Sequence, residues 1–114
     1  MKDIIKHCEN GDMVVTLSGE LDHHGVAAIR EDIDASLFKL TPKRLVFDLI
    51  GVEFMDSSGL GLILGRYARA SVLGVPIIIR NPSERHKRLL CMAELQKIVS
   101  IEEMEECEDE KAAK

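Results

Sequence analysis

Three short apolar runs alternate with longer stretches of helical periodicity, and this alternation is the strongest constraint on the fold. Met13 to Ser18 (MVVTLS), Arg44 to Leu49 (RLVFDL) and Val75 to Ile79 (VPIII) are rich in β-branched residues and read as strands. Between the first two, Val26, Ile29, Ile33, Leu37 and Leu40 recur at steps of three and four, the apolar stripe of an amphipathic helix. Arg30, Glu31 and Asp34 fall off that stripe and are expected in solvent. Asp22 is the candidate N-cap, since its carboxylate can accept a free backbone N–H of the first turn. Thr41-Pro42 ends the helix, because proline cannot continue the hydrogen-bond ladder. Ser57 to Leu73 reads as a second helix, closed by Gly74 in a left-handed conformation. Asn81-Pro82-Ser83 opens a third, which runs to Ala93 with Leu89, Leu90 and Met92 turned inward.

The remaining punctuation is local. Glu9-Asn10-Gly11-Asp12 is a turn, so Ile4 to Cys8 is expected to form a hairpin with the first long strand. Gly19-Glu20-Leu21-Asp22 breaks that strand, Gly51 turns the chain after RLVFDL, and Ile98 to Ile101 is a last short strand. The tail, residues 102–114, is strongly charged and reads as a frayed or surface helix. Strands alternating with helices imply parallel strand pairs joined by right-handed crossovers. The expected fold class is therefore α/β with a mixed sheet of four to five strands and helices packed on it. A length of 114 residues suits a single domain over 1–114.

Composition narrows the function. Asp and Glu outnumber Lys and Arg by 20 to 15, and no basic cluster with interleaved aromatics occurs, which argues against a nucleic-acid surface. Cys8, Cys91 and Cys107 are an odd number, widely spaced, with no CxxC; they read as reduced thiols of a cytoplasmic protein, with no metal site. The N-terminus lacks a signal region and no apolar run reaches the ~20 residues of a membrane span, so no membrane insertion is expected.

One stretch asks for a function. FMDSSGLGLILGRY (54–67) places Asp56, Ser57 and Ser58 where a loop becomes a helix, at the carboxyl end of a parallel strand. Such ends are where α/β proteins meet ligands and partners. The Gly19-to-His24 turn opens on the same side. Simple capping is one reading of the serines, since Asp56, Ser57 or Ser58 can each cap the next turn. Capping needs one residue, however, and three stand in a row. A hydroxyl left outward at a helix N-terminus is well placed to carry a phosphate, which the free N–H groups and the helix dipole favour.

Two enzymatic readings compete. Gly59, Gly61 and Gly65 imitate a dinucleotide-binding pattern, but they fall inside the helix, where Gly61 and Gly65 are expected to allow close packing. No P-loop is present. Met55-Asp56-Ser57-Ser58-Gly59 also has the outline of a nucleophile elbow, with His7, His23, His24 and His86 as available bases. It lacks the first glycine of GxSxG, and none of the histidines is tied to an acid by a recognisable pattern. His23 and His24 read better as surface residues of a first turn.

GELDHH (19–24) and FMDSSGLGLILGRY, at this separation, resemble the anti-sigma factor antagonists of the STAS domain family, and among these the sporulation type. The likeness spans Met13 to Ile101 and implies the STAS fold. It implies that Ser57 is the phosphorylated residue, with Asp22, His23, Asp56, Ser58 and Gly59 in the partner face. It further implies a regulator without catalysis or cofactor of its own. Its partners would be an anti-sigma factor that is itself a serine kinase, bound to ADP or ATP, and a metal-dependent serine phosphatase. The unphosphorylated form would bind the kinase and free sigma factor F, and phosphorylation would end that binding. A general stress-response antagonist of the same family, a nucleotide-binding STAS protein and a scaffold that is never phosphorylated remain as alternatives.

Overall fold

The computed structural model describes residues 3–103, apart from the side chains of Asp3 and Ala28. Its strands are β1 (Asp3–Glu9), β2 (Asp12–Leu21), β3 (Leu45–Met55), β4 (Ile77–Arg80) and β5 (Ser100–Glu102). Its helices are α1 (His23–Leu40), α2 (Ser57–Val72) and α3 (Glu84–Met92), with a single 3₁₀ turn at Leu95–Lys97. The strands form one five-stranded sheet in the order β1-β2-β3-β4-β5. β1 pairs antiparallel with β2 through the Asn10-Gly11 turn, and the other pairs are parallel.

Because the parallel strands lie side by side in chain order, crossovers of one hand place α1 and α2 on the same face. Alternation along the strands then sorts the side chains. Met13, Val15, Leu17, Leu45, Phe47, Leu49, Ile77 and Ile79 join Ile29, Ile33 and Leu37 of α1 and Leu62 and Ile63 of α2 in the main core. The in-between residues Val14, Val46 and Ile78 form a small second cluster. The strand order nowhere reverses, so the sheet lacks the switch-point crevice in which doubly wound folds hold dinucleotides.

Several boundaries differ from the sequence reading. β2 runs through Gly19 to Leu21, and β3 runs through Gly51 to Met55, although both glycines were expected to interrupt their strands. Each strand supplies the other's ladder, and the mismatch is absorbed by register shifts between Thr16 and Ser18 and between Gly19 and Glu20, with Gly19 at φ 88°. Leu40 at the last position of α1 and Met92 at the end of α3 are exposed, not buried, since the core does not extend under those final turns. Asp34 is half-buried rather than solvated, for a reason given below. Glu102 belongs to β5, and residues 104–114 of the expected tail lie outside the described residues, as does Cys107. No described helix is long and apolar enough to cross a membrane.

The long strands set the position of the functional region. β4 pairs with β3 only over Leu45 to Asp48, whereas β2 and β3 stay paired as far as Leu21 and Met55. These two strands project beyond the rest of the sheet, and both helices start at that projecting tip.

Candidate functional site

Leu21 and Met55 are register partners, and the ladder ends with the Asp56 N–H directed at the Leu21 carbonyl at 3.5 Å. Each strand is followed by an aspartate in extended conformation that caps a helix. Asp22 Oδ1 accepts the Gly25 N–H at 2.8 Å, and Asp56 Oδ1 accepts the Ser58 N–H at 2.8 Å. The hydrogen bond from the Gly25 N–H holds the Asp22 carboxyl below its ordinary value. Both acids thus serve as helix N-caps at the mouth, each satisfying a donor that the helix leaves unpaired.

The two serines are not equivalent. Ser57, the first residue of α2, is exposed, whereas Ser58 is half-buried and faces a groove between α1 and α2. That groove, about 250 Å³ in volume, is lined by His23, Val26, Arg30, Ser58, Gly61 and Leu62. His23 and His24 are both exposed on the first turn of α1, their rings edge to face at 5.6 Å. Gly59 is buried at the point of closest approach: a Cβ there would overlap Met55 Cγ and lie 3.1 Å from Leu21 Cβ. Gly61 and Gly65, expected to permit close packing, meet nothing within 4 Å. Gly61 instead lines the groove, and Gly65 is half-buried one turn further on. The residues the sequence singled out therefore gather at one tip, with His23 and Ser58 on a shared groove and Ser57 outside it.

Neither serine hydroxyl is hydrogen-bonded to a histidine among the described residues. His86 is buried in α3, where desolvation lowers its pKa, and His7 is exposed on β1.

The sequence reading missed the ion-pair cluster below the groove. Arg66 of α2 is 3% exposed, and its Nε lies 2.6 Å from Asp34 Oδ1 of α1. Arg69 Nε takes the other oxygen, Oδ2, at 2.8 Å. Burial, ahead of the opposing attraction of Asp34, lowers the Arg66 pKa. One signal was legible: Arg66 sits one turn beyond Leu62 and Ile63 on the apolar stripe of α2, where a cation needs a partner. The partner, on another helix, was not.

A model of the STAS domain matches residues 3–109. The chain belongs to the STAS domain family. Among proteins of that family it is 42% identical over 77 residues to an anti-sigma F factor antagonist of Lysinibacillus sphaericus, covering 68% of this chain and 66% of that one. It is 40% identical over 91 residues to an anti-sigma F factor antagonist of Paenibacillus polymyxa, covering 80% and 78%. A solved structure of the anti-sigma factor antagonist SpoIIAA in its unphosphorylated form superposes with a TM-score of 0.74 at 28% identity, covering 97% of each chain. The STAS fold and the relationship to anti-sigma factor antagonists agree with the mixed five-stranded sheet and with the resemblance carried by the two motifs.

Proposed function

We propose that this STAS protein is an anti-sigma factor antagonist, that the α1–α2 tip is its binding face, and that phosphorylation of Ser57 is its switch. The observation that carries the reading is the placement of Ser57: exposed on the first turn of α2, beside a cap already supplied by Asp56. The Ser57 hydroxyl makes no side-chain hydrogen bond among the described residues, and Asp22, His23, Asp56, Ser58 and Gly59, at the same tip, complete the proposed partner face.

In this reading the unphosphorylated chain binds a serine-kinase anti-sigma factor in the cytoplasm and so releases sigma factor F. The kinase then transfers the γ-phosphoryl group of ATP to Ser57 Oγ. The new Oγ–P bond forms as the bond to the ADP oxygen breaks, and the hydroxyl proton passes to a base on the kinase. This chain is substrate, not catalyst. A metal-dependent phosphatase hydrolyses the ester and resets the switch.

The electrostatics favour such a device. A phosphate adds about −1.5 to −2 charge, which the first turn of α2 tolerates because its N–H groups point outward. The fold is therefore kept, while docking must bury an unpaired dianion. Turning binding from nearly complete to nearly absent needs roughly 10⁴-fold, or about 5.5 kcal/mol, within the range of an uncompensated buried charge.

The test is to incubate the chain with its cognate kinase and ATP and to map phosphate by mass spectrometry. One phosphate, on Ser57, is expected. Ser57→Ala should bind the kinase and resist release by ATP, and Ser57→Asp should bind poorly. Phosphate on Ser58 alone would move the switch by one residue, and no phosphate with an active kinase would refute it. Competition with sigma factor F against the general stress sigma factor separates the sporulation reading from the stress-response one.

A further inference from the structure

Charge is unevenly distributed over this acidic chain. Its net charge is −5, yet the seam between α1 and α2 carries Arg30, Arg66 and Arg69 around one carboxylate, Asp34. Asp34 is one turn from Arg30 on α1, in the spacing of a helical ion pair. Both its oxygens are nevertheless taken, Oδ1 by Arg66 and Oδ2 by Arg69. Arg30 forms no ion pair among the described residues, and its charge adds to the field that lowers the Arg66 pKa. It is an exposed cation with no ion-pair partner among the described residues, at the rim of the groove lined by Val26, Gly61 and Leu62.

We propose that this groove is a second recognition point for the kinase partner, taking an acidic side chain of the kinase presented beside an apolar one. The carboxylate meets the Arg30 guanidinium, and the apolar side chain lies on Val26 and Leu62, in the space left by the missing side chain of Gly61. The inference rests on the reading of the chain as a kinase-binding antagonist. Charge complementarity and continuity support it, since Ser58 and His23 belong both to the groove and to the proposed partner face. Arg30 is then a specificity residue: it selects a partner with an acid at the matching point and disfavours one with a base.

The experiment measures the dissociation constant of the unphosphorylated chain for the kinase of its own genome with ADP, and compares Arg30→Lys, Arg30→Gln and Arg30→Glu. We expect binding to weaken about tenfold for Arg30→Gln and about a hundredfold for Arg30→Glu, with Arg30→Lys within about threefold of the parent. The Tm of Arg30→Gln should not fall, because the change removes a like charge from Arg66; a residue of merely structural use would lower it. An acid-to-lysine change on the kinase that restores binding to Arg30→Glu would identify the contact. If the parent chain fails to bind the kinase, the functional reading and this inference fall together. If the parent binds and Arg30→Glu binds within about twofold of it, the groove inference alone is overturned. It is equally overturned if Arg30→Glu slows only the phosphatase acting on the phosphorylated chain.

Discussion

Asp22-His23-His24-Gly25 opens α1, and Asp56-Ser57-Ser58-Gly59 opens α2, on neighbouring strands whose last residues are register partners. In both turns an aspartate caps a backbone N–H within the next three residues, and a buried glycine follows at the third position. The ends are set by capping and packing, which leave little choice of residue. The two middle positions are free of that constraint, and there the helices differ. The His23 imidazole on α1 lines a groove, and so does the half-buried Ser58 of α2, while the Ser57 hydroxyl stays at the surface outside it. The same backbone device thus presents two chemistries side by side.

The two mouths hold their mutual position partly through the pair that joins the helices lower down. Asp34→Ala leaves the Arg66 charge buried without its partner and is expected to cost about 3 kcal/mol, on the order of 10 °C in Tm, measured by thermal unfolding. If the loss is under about 1 kcal/mol, the helices are positioned by packing alone.

Glycines on α2 separate close approach from open surface. Gly59→Ala forces a Cβ against Met55 and Leu21 and should destabilise by about 2 kcal/mol. Gly61→Ala meets open space and should stabilise by about 0.5–1 kcal/mol, since alanine loses less backbone freedom in a helix. Equal effects at the two positions would contradict the packing described at the mouth of α2.

Removing the caps tests whether the two turns are equivalent. Asp56→Ala should cost about 1 kcal/mol, and Asp22→Ala should likewise lower the melting temperature. For Asp22 the pH dependence has a definite sign. Its folded carboxyl titrates below the ordinary 3.8, so its contribution is present above 3.8 and is lost as pH falls through the folded value. The stability difference between Asp22→Ala and the parent should shrink correspondingly in acid titrations of the melting temperature. A difference that persists undiminished in acid would show that the carboxylate charge is not what holds the cap.

Much of this was legible in the sequence where the cause is local. The alternation of strands and helices, the cap at Asp22 and the left-handed Gly74 all follow from residues within one turn of each other, whereas Asp56, Ser57 and Ser58 were equal candidates for the α2 cap, which the structure assigns to Asp56. Gly19 and Gly51 were misread for the opposite reason. A glycine weakens a strand locally, but β2 and β3 pair past both, and a bulge absorbs the mismatch. Gly61 and Gly65 looked like packing glycines because they lie on a helix, whereas crowding depends on where the strand ends fall, and these lie beneath Gly59.

By itself, then, the sequence determined where α1 and α2 begin and that a hydroxyl stands on the first turn of α2, because capping is settled by neighbours along the chain; α3, expected to open at Asn81-Pro82-Ser83, begins instead at Glu84, behind a Ser83 cap that accepts the His86 N–H. Only the tertiary structure decided that His23 shares a groove with Ser58, that Asp34 serves Arg66 and Arg69, and that Arg30 has no ion-pair partner among the described residues. Those relations are set by the parallel register that brings Leu21 beside Met55 and lays α1 against α2, and long-range register leaves no trace in the residues on either side of one position.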